Sequence, residues 1–325
     1  MQNLPAPAPA TVQRRMWLGV ANGAAAGALW GLVFLAPQLL ADFSAMQLAA
    51  SRYLVYGLVA TALLAPGWRR LRSRLQWHEW RALVWLSLLG NIVYYLLLAS
   101  AVQWAGGASA SLIVGLLPVV VTLVGARRAG AVPLRRLLVP LALCLAGVVL
   151  VGIEAVLAES DSRSRATTIA GLFCAFGALA SWTAYSLYNT TWLERRPDIS
   201  GHDWSLLTGL ATGALALLMV VPAFVLGSRL HLPGDWLRFW GVATAVAVLA
   251  SVAGNGFWNR ASRLLPLTLS GQMIVFETVF ALLYGFAWER RLPTLMEVAA
   301  IVSLITGVLW CMRAHRGHGV TPHEE

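Results

Sequence analysis

The sequence predicts an all-α membrane protein of ten transmembrane helices, arranged as two inverted five-helix repeats. Three observations carry that expectation. First, the 325 residues are 58% hydrophobic and only 12% charged, with a mean hydropathy of +0.69, whereas a soluble domain carries about 25% charged residues. Second, ten apolar stretches are each long enough to cross ~30 Å of hydrocarbon at 1.5 Å per residue. They lie near 17–40, 45–65, 80–102, 105–125, 134–156, 168–192, 204–226, 240–262, 264–286 and 296–312. Third, the chain is one unit written twice. Ala101, Val119, Leu123, Gly125, Pro133, Gly147 and Val148 recur 160 residues later as Ala261, Val279, Leu283, Gly285, Pro293, Gly307 and Val308. An offset of 152 aligns Gly19, Trp30, Leu54, Gly57, Leu58 and Leu63 with Gly171, Trp182, Leu206, Gly209, Leu210 and Leu215.

Five spans per copy is an odd number, so the second copy enters the bilayer from the opposite side. Inverted repeats suit secondary carriers, because two related halves can rock about a central site; gene duplication in a passive membrane protein or a channel is the competing reading. The expected organisation is a disordered cytoplasmic tail (1–15), a first repeat (16–157), a linker (158–167), a second repeat (168–313) and a cytoplasmic tail (314–325).

Net charge is +10, and all 24 basic residues are Arg. With a cytoplasmic N-terminus, 17 of them fall on the inner side, six outside, and Arg52 alone within a span. That split is the positive-inside pattern, so the charge reads as topology rather than as a nucleic-acid footprint. Both termini are then cytoplasmic and the expected location is the cytoplasmic membrane. The first apolar stretch is too long for a cleavable signal and lacks a separate cleavage region. Cys144, Cys174 and Cys311 sit in apolar spans with neither metal spacing nor a disulfide framework, so no metal or cofactor is expected.

In the first span, Gly19, Gly23, Gly27 and Gly31 mark one face for close helix packing. Asn22 is a buried amide that needs partners, and Trp30 has its counterpart in Trp182. The second span carries Arg52, beside Tyr53 and Tyr56; an intramembrane charge points to function, although an arginine roughly 10 Å deep can also snorkel. The basic loop 66–81 reads as an anchor on anionic headgroups.

The third span brings Asn91, Tyr94 and Tyr95 to one face by their i, i+3, i+4 spacing, and the eighth repeats the device with Asn255, Trp258 and Asn259, beside Ser251. Lipid does not reward such stripes, so they are expected to line a cavity, with interhelical bonding as the alternative. The sixth span adds Trp182 and Tyr185 as walls opposite Trp30, while the seventh is featureless beyond Thr208, Gly209 and Gly213. In the ninth, Gln272 and Glu277 are the polar insertions, and Glu277 is the one carboxylate well inside a span. Burial disfavours its charge and suits a proton carrier, whereas a neighbouring cation holds it ionised. Arg52 lies within ~3 Å of it along the membrane normal, so a contact, direct or through water, is expected.

Trp30-Gly31, the run Gln47-Leu-Ala-Ala-Ser-Arg52-Tyr53, the Ala-Ser-Ala-Ser-Leu stretch before Pro118, Trp182, Gly285 followed by Glu289, and Gly307 occur in an order that resembles drug/metabolite transporters of the EamA type. The resemblance spans Trp17 to Trp310. It implies ten helices in two inverted five-helix repeats, a central cavity, and uptake or, more often, export of small organic solutes such as amino acids or drugs.

The sequence reading is therefore a secondary transporter that exports small amphipathic metabolites by alternating access. Asn22, Trp30, Asn91, Tyr94, Tyr95, Trp182, Tyr185, Asn255, Trp258 and Gln272 bind substrate in this reading, and Glu277 with Arg52 forms the coupling or charge pair. Aromatic rings would stack on an apolar moiety or attract an ammonium, and amides would set orientation. The expected partners are a small-molecule substrate, the bilayer and protons, with no nucleic acid; a homodimer is compatible. An intramembrane lipid-modifying enzyme is the rival, but no span pairs a His with a carboxylate or Cys, so no catalytic residue is named. A channel is the third reading, against which stands the lack of a ring-forming filter or charge-lined pore, and a sensor that binds without flux is a further one.

Overall fold

Helix boundaries follow from hydropathy and from capping chemistry in the loops. Ser44 starts the second helix through a capping box: its hydroxyl accepts from the Gln47 N–H at 3.2 Å, and the Gln47 side chain accepts from the Ser44 N–H at 2.8 Å. Ser164 and Ser200 likewise accept from the N–H groups of Thr167 (3.2 Å) and Asp203 (3.0 Å). Gly106, at φ 90°, supplies the left-handed turn that separates the third helix from the fourth.

The computed structural model describes residues 9–120, 134–157, 164–225, 231–265 and 273–316. Every regular element among them is helical. The main helices are α1 (Pro9–Leu39), α2 (Ala45–Leu64), α3 (Trp77–Ala105), α4 (Gly107–Val120), α5 (Leu134–Leu157), α6 (Arg165–Arg195), α7 (Gly201–Phe224), α8 (Pro233–Leu264), α9 (Val275–Glu289) and α10 (Leu295–Arg316). Seven of them (α1, α2 with its short extension, α3, α5, α6, α7 and α8) are long and apolar enough to cross a membrane. The other three expected stretches hold α4, α9 and α10, and the apolar segments of α4 and α10 are the shorter Gly107–Val120 and Leu295–Trp310.

Helix pairing is governed by small residues. A Cβ on Gly57 would lie 2.5 Å from the Gly213 Cα, and one on Gly209 would lie 2.9 Å from the Ala60 Cβ, so α2 and α7 cross backbone to backbone and antiparallel. In α5 and α10, a Cβ on Gly147 would lie 2.8 Å from the Ala300 carbonyl oxygen, and one on Gly307 would lie 2.7 Å from that of Pro140. Those two contacts exchange under the 160-residue offset. The α1 glycines face other segments: Gly23 meets Met273, Gly27 meets Phe276 and the Glu277 backbone, and Gly31 meets Phe280 and Ala281. The glycine stripe thus sets the position of α9, and Glu277 with it.

Both α3 and α8 widen to π-helical geometry partway along, over Leu88–Ile92 and Ala247–Gly254. The 160-residue offset superimposes these segments. A π-turn shifts the backbone hydrogen bonds and leaves carbonyls available to neighbours. The Leu89 carbonyl accepts from the Ser181 hydroxyl of α6 at 2.7 Å, and the Ala250 carbonyl accepts from the Trp30 indole of α1 at 3.1 Å.

Candidate solute cavity

The two widened segments border a cavity of about 120 Å³ drawn from both sequence copies. Their glycines make room for its aromatic walls. A Cβ on Gly90 would lie 2.4 Å from the Tyr185 ring, and one on Gly254 would lie 2.8 Å from the Trp30 indole nitrogen, so any larger residue would push these rings away.

Of the residues singled out in the sequence, Trp30, Arg52, Asn91, Tyr94, Trp182, Tyr185, Asn255 and Glu277 line this space together. Asn91 donates to the Thr212 hydroxyl at 2.9 Å, and its backbone carbonyl accepts from the Tyr53 hydroxyl at 3.0 Å. Asn255 donates to the Ser251 carbonyl one turn back at 2.8 Å.

Three others are placed elsewhere. Asn22 does not line the cavity; its amide bonds the Leu18 carbonyl of its own helix at 2.7 Å. Tyr95 is buried behind the wall, where its ring faces the Arg52 guanidinium at 4.4 Å. Trp258 backs Trp30, with ring centroids 5.2 Å apart. Gln272 lies outside the described residues.

Arg52 does not reach the protein surface: it is 8% exposed and donates to the Ser251 hydroxyl at 3.4 Å. Among the described residues no ion pair joins it to Glu277, although both face the same cavity. Of the expected contact, direct or through water, the direct form is not made, and the form through water is not tested.

The sequence reading passed over Tyr53, Tyr56, Ser205 and Thr208 as site residues, and all four line the cavity. Arg52 and Tyr56 share a face at i, i+4, a signal that was available. Ser205 and Thr208, at i, i+3 on α7, were masked by an otherwise apolar helix. The Tyr56 hydroxyl donates to the Ser205 carbonyl at 3.1 Å and so joins α2 to α7 beside the cavity.

Each end of the bundle is also tied across the two copies. Where the loops after α2 and α6 meet, Arg196 pairs with the carboxylate of Glu79 and with Asp198 at 2.9 Å, and it donates to the Arg74 carbonyl at 2.9 Å. These hydrogen bonds hold the Asp198 carboxyl below its ordinary range, at about 2. At the opposite end, Arg238 meets Asp42 at 3.0 Å above a cluster formed by Phe43, His231, Trp236 and Phe239.

Comparisons with known proteins agree with this architecture. Residues 17–153, from within α1 to within α5, match the model of the EamA-like transporter family. The inner membrane protein YtfF of Escherichia coli (strain K12) is 33% identical over 307 residues, covering 91% of this chain and 95% of that protein. One solved protein crystal structure, 18% identical, aligns over 92% of this chain and 98% of its own with a TM-score of 0.60, which shows a shared fold. With a relative this similar across nearly the full length and a polar cavity enclosed by apolar helices, the chain belongs to the EamA-like transporter family.

Proposed function

We propose that the protein is a secondary carrier of small organic solutes in the cytoplasmic membrane, exporting amino acids or related amphipathic metabolites or drugs by alternating access. The observation that carries this reading is the cavity: a polar and aromatic space inside an apolar bundle, with walls taken from both copies of the repeat. A polar space in lipid has a cost that a structural seam would avoid, and a solute path uses it.

The moving parts in this reading are two inverted repeats, 16–157 and 168–313. Support comes from equivalent helices that cross antiparallel, α2 with α7 and α5 with α10, the α5–α10 contacts exchanging under the 160-residue offset. The Arg-rich end bearing Arg69, Arg70, Arg72 and Arg74 would face the cytoplasm, with both termini. Single cysteines placed at 42 and 198 should then react with membrane-impermeant reagents from opposite sides; reaction from one side only would remove the assigned topology.

Trp30, Trp182 and Tyr185 would hold an apolar or cationic moiety, Asn91 and Asn255 would orient it, and Glu277 would carry the coupling proton. In proteoliposomes, Glu277→Gln is expected to abolish flux driven by a pH gradient while leaving solute binding in place. Unchanged gradient dependence would take the coupling role from Glu277.

A further inference from the structure

The cavity wall contains a cation whose hydrogen-bonding capacity is largely unused. Arg52 is buried, and of its five N–H donors the Nη2 group alone is engaged, with Ser251 at the long distance of 3.4 Å. Nε and Nη1 are enclosed and meet no acceptor. The rings of Tyr95 and Tyr53, with centroids 4.4 and 5.1 Å from the guanidinium carbon, steady the charge from the sides and leave these donors unsatisfied.

A buried cation with orphaned donors is expensive unless something supplies an anion. Glu277 faces the same space, but no ion pair joins the two among the described residues. Water or a neutral carbonyl can accept from these donors, but only an anion also offsets the buried charge, and a planar carboxylate matches the guanidinium fork. The other polar groups on this space, Asn91, Ser205, Thr208 and Asn255, can donate to or accept from the rest of a small organic solute.

We propose that Arg52, assisted by the Ser251 hydroxyl, is a carboxylate-binding subsite, and that the solute is a small monocarboxylate, zwitterions included. The proposal rests on the carrier reading for the subsite's place on a transport path, but its test needs no flux.

Full-length protein in nanodiscs is titrated with propionate, propionamide, L-alanine, L-alaninamide and inorganic phosphate, read by quenching of indole fluorescence and by thermal shift. Propionate and L-alanine are expected to bind, and their amides at least about tenfold more weakly, as expected for loss of a charge-assisted pair. Arg52→Gln is expected to abolish the distinction between acid and amide. Arg52→Lys, which keeps the charge and loses the fork, should weaken propionate binding severalfold, and Ser251→Ala should do so to a smaller degree.

Equal binding of acids and amides, preference for phosphate, or no response to any probe overturns the proposal. If Arg52→Gln does not fold, wild-type affinity for propionate in both Arg52→Lys and Ser251→Ala overturns it. Carboxylate binding without flux in proteoliposomes supports the subsite and removes the carrier reading. Flux of solutes that ignores both Arg52→Lys and the carboxylate does the reverse.

Discussion

Glu79 and Phe239 occupy equivalent places in the two copies, related by the same 160-residue offset that pairs Trp80 with Trp240, yet they close opposite ends of the bundle by different physics. Glu79, its side chain 2% exposed, meets Arg196 of the other copy, which is 17% exposed. Phe239 is fully buried and meets Phe43 of the other copy, ring centroids 4.4 Å apart, with Trp236 at 5.3 Å and His231 at 4.0 Å from Phe43. Charges are present at that second end too, but Asp42 is 67% and Arg238 46% exposed. The partner in each case comes from the loop joining the first two helices of the opposite copy.

One end is therefore closed by a directional ion cluster built on the buried Glu79 carboxylate, with Asp198 45% exposed at its rim, and the other by non-directional apolar burial under a solvated pair. A buried carboxylate is intolerant of losing its cation, because the remaining charge stays buried. An aromatic cluster loses stability in proportion to what is removed. For the carrier proposed above, separation of the copies at the Arg196 end would require hydrating several charges together, whereas the Phe43 end would wet apolar surface.

The sharpest way to break this comparison is Arg196→Ala. It should destabilise the protein by up to about 3–5 kcal/mol by leaving the buried Glu79 carboxylate with only the Gln76 N–H and His78 as partners, seen as a large fall in melting temperature in detergent or nanodiscs. Phe43→Ala should cost a similar amount, about 3–5 kcal/mol, but differ in kind: its penalty should not change with salt. A Phe43→Ala penalty that shrinks with salt would mean that the exposed ions carry that end.

Next in size is Gly57→Ala at the α2–α7 crossing between the ends. The new methyl meets the Gly213 backbone, and overpacking of this kind costs about 1–3 kcal/mol. Equal melting temperatures for this variant and wild type would show that the crossing is looser than drawn. Arg238→Ala should change stability by at most about 1 kcal/mol, as exposed pairs do; a loss as large as that of Arg196→Ala would erase the distinction between the ends.

The smallest effect is on pH. The Asp198 carboxyl is depressed from 3.8 to about 2, so the stability it contributes is complete above 3.8 and is lost as pH falls through about 2. Melting curves of wild type and Asp198→Asn should accordingly differ by a constant amount above pH 4 and converge toward pH 2. A difference that opens only at neutral pH would assign the effect to another group.

Much of the architecture was legible because its signals are local. Hydropathy marks where helices lie, and the duplication is read directly from Gly147 and Gly307 or Trp30 and Trp182. The face shared by Asn91 and Tyr94 follows from helical periodicity alone, and the structure places both residues on the cavity. The glycine stripe of α1 read as packing, and it packs on α9. Less of the site was legible where neighbours within a turn have different fates. Tyr94 lines the cavity and Tyr95 lies behind it, because a 100° step along the helix decides which side of the wall a ring occupies. Asn22 satisfies its amide on its own backbone, a choice that composition does not reveal.

The sequence by itself determined the all-helical class with apolar, membrane-length segments and most of the polar stripe, since these depend on apolar length and on spacing within one segment. Only the tertiary structure decided which distant segments meet: Ser205 and Thr208 at the cavity, Arg52 bonded to Ser251 with Glu277 on the same cavity, and Glu79 with Arg196, 117 residues along the chain. The physical reason is that such contacts follow from how helices cross. Crossings are set by the summed packing of small residues such as Gly57, Gly213, Gly147 and Gly307, a property of pairs of surfaces that a single stretch of chain does not contain.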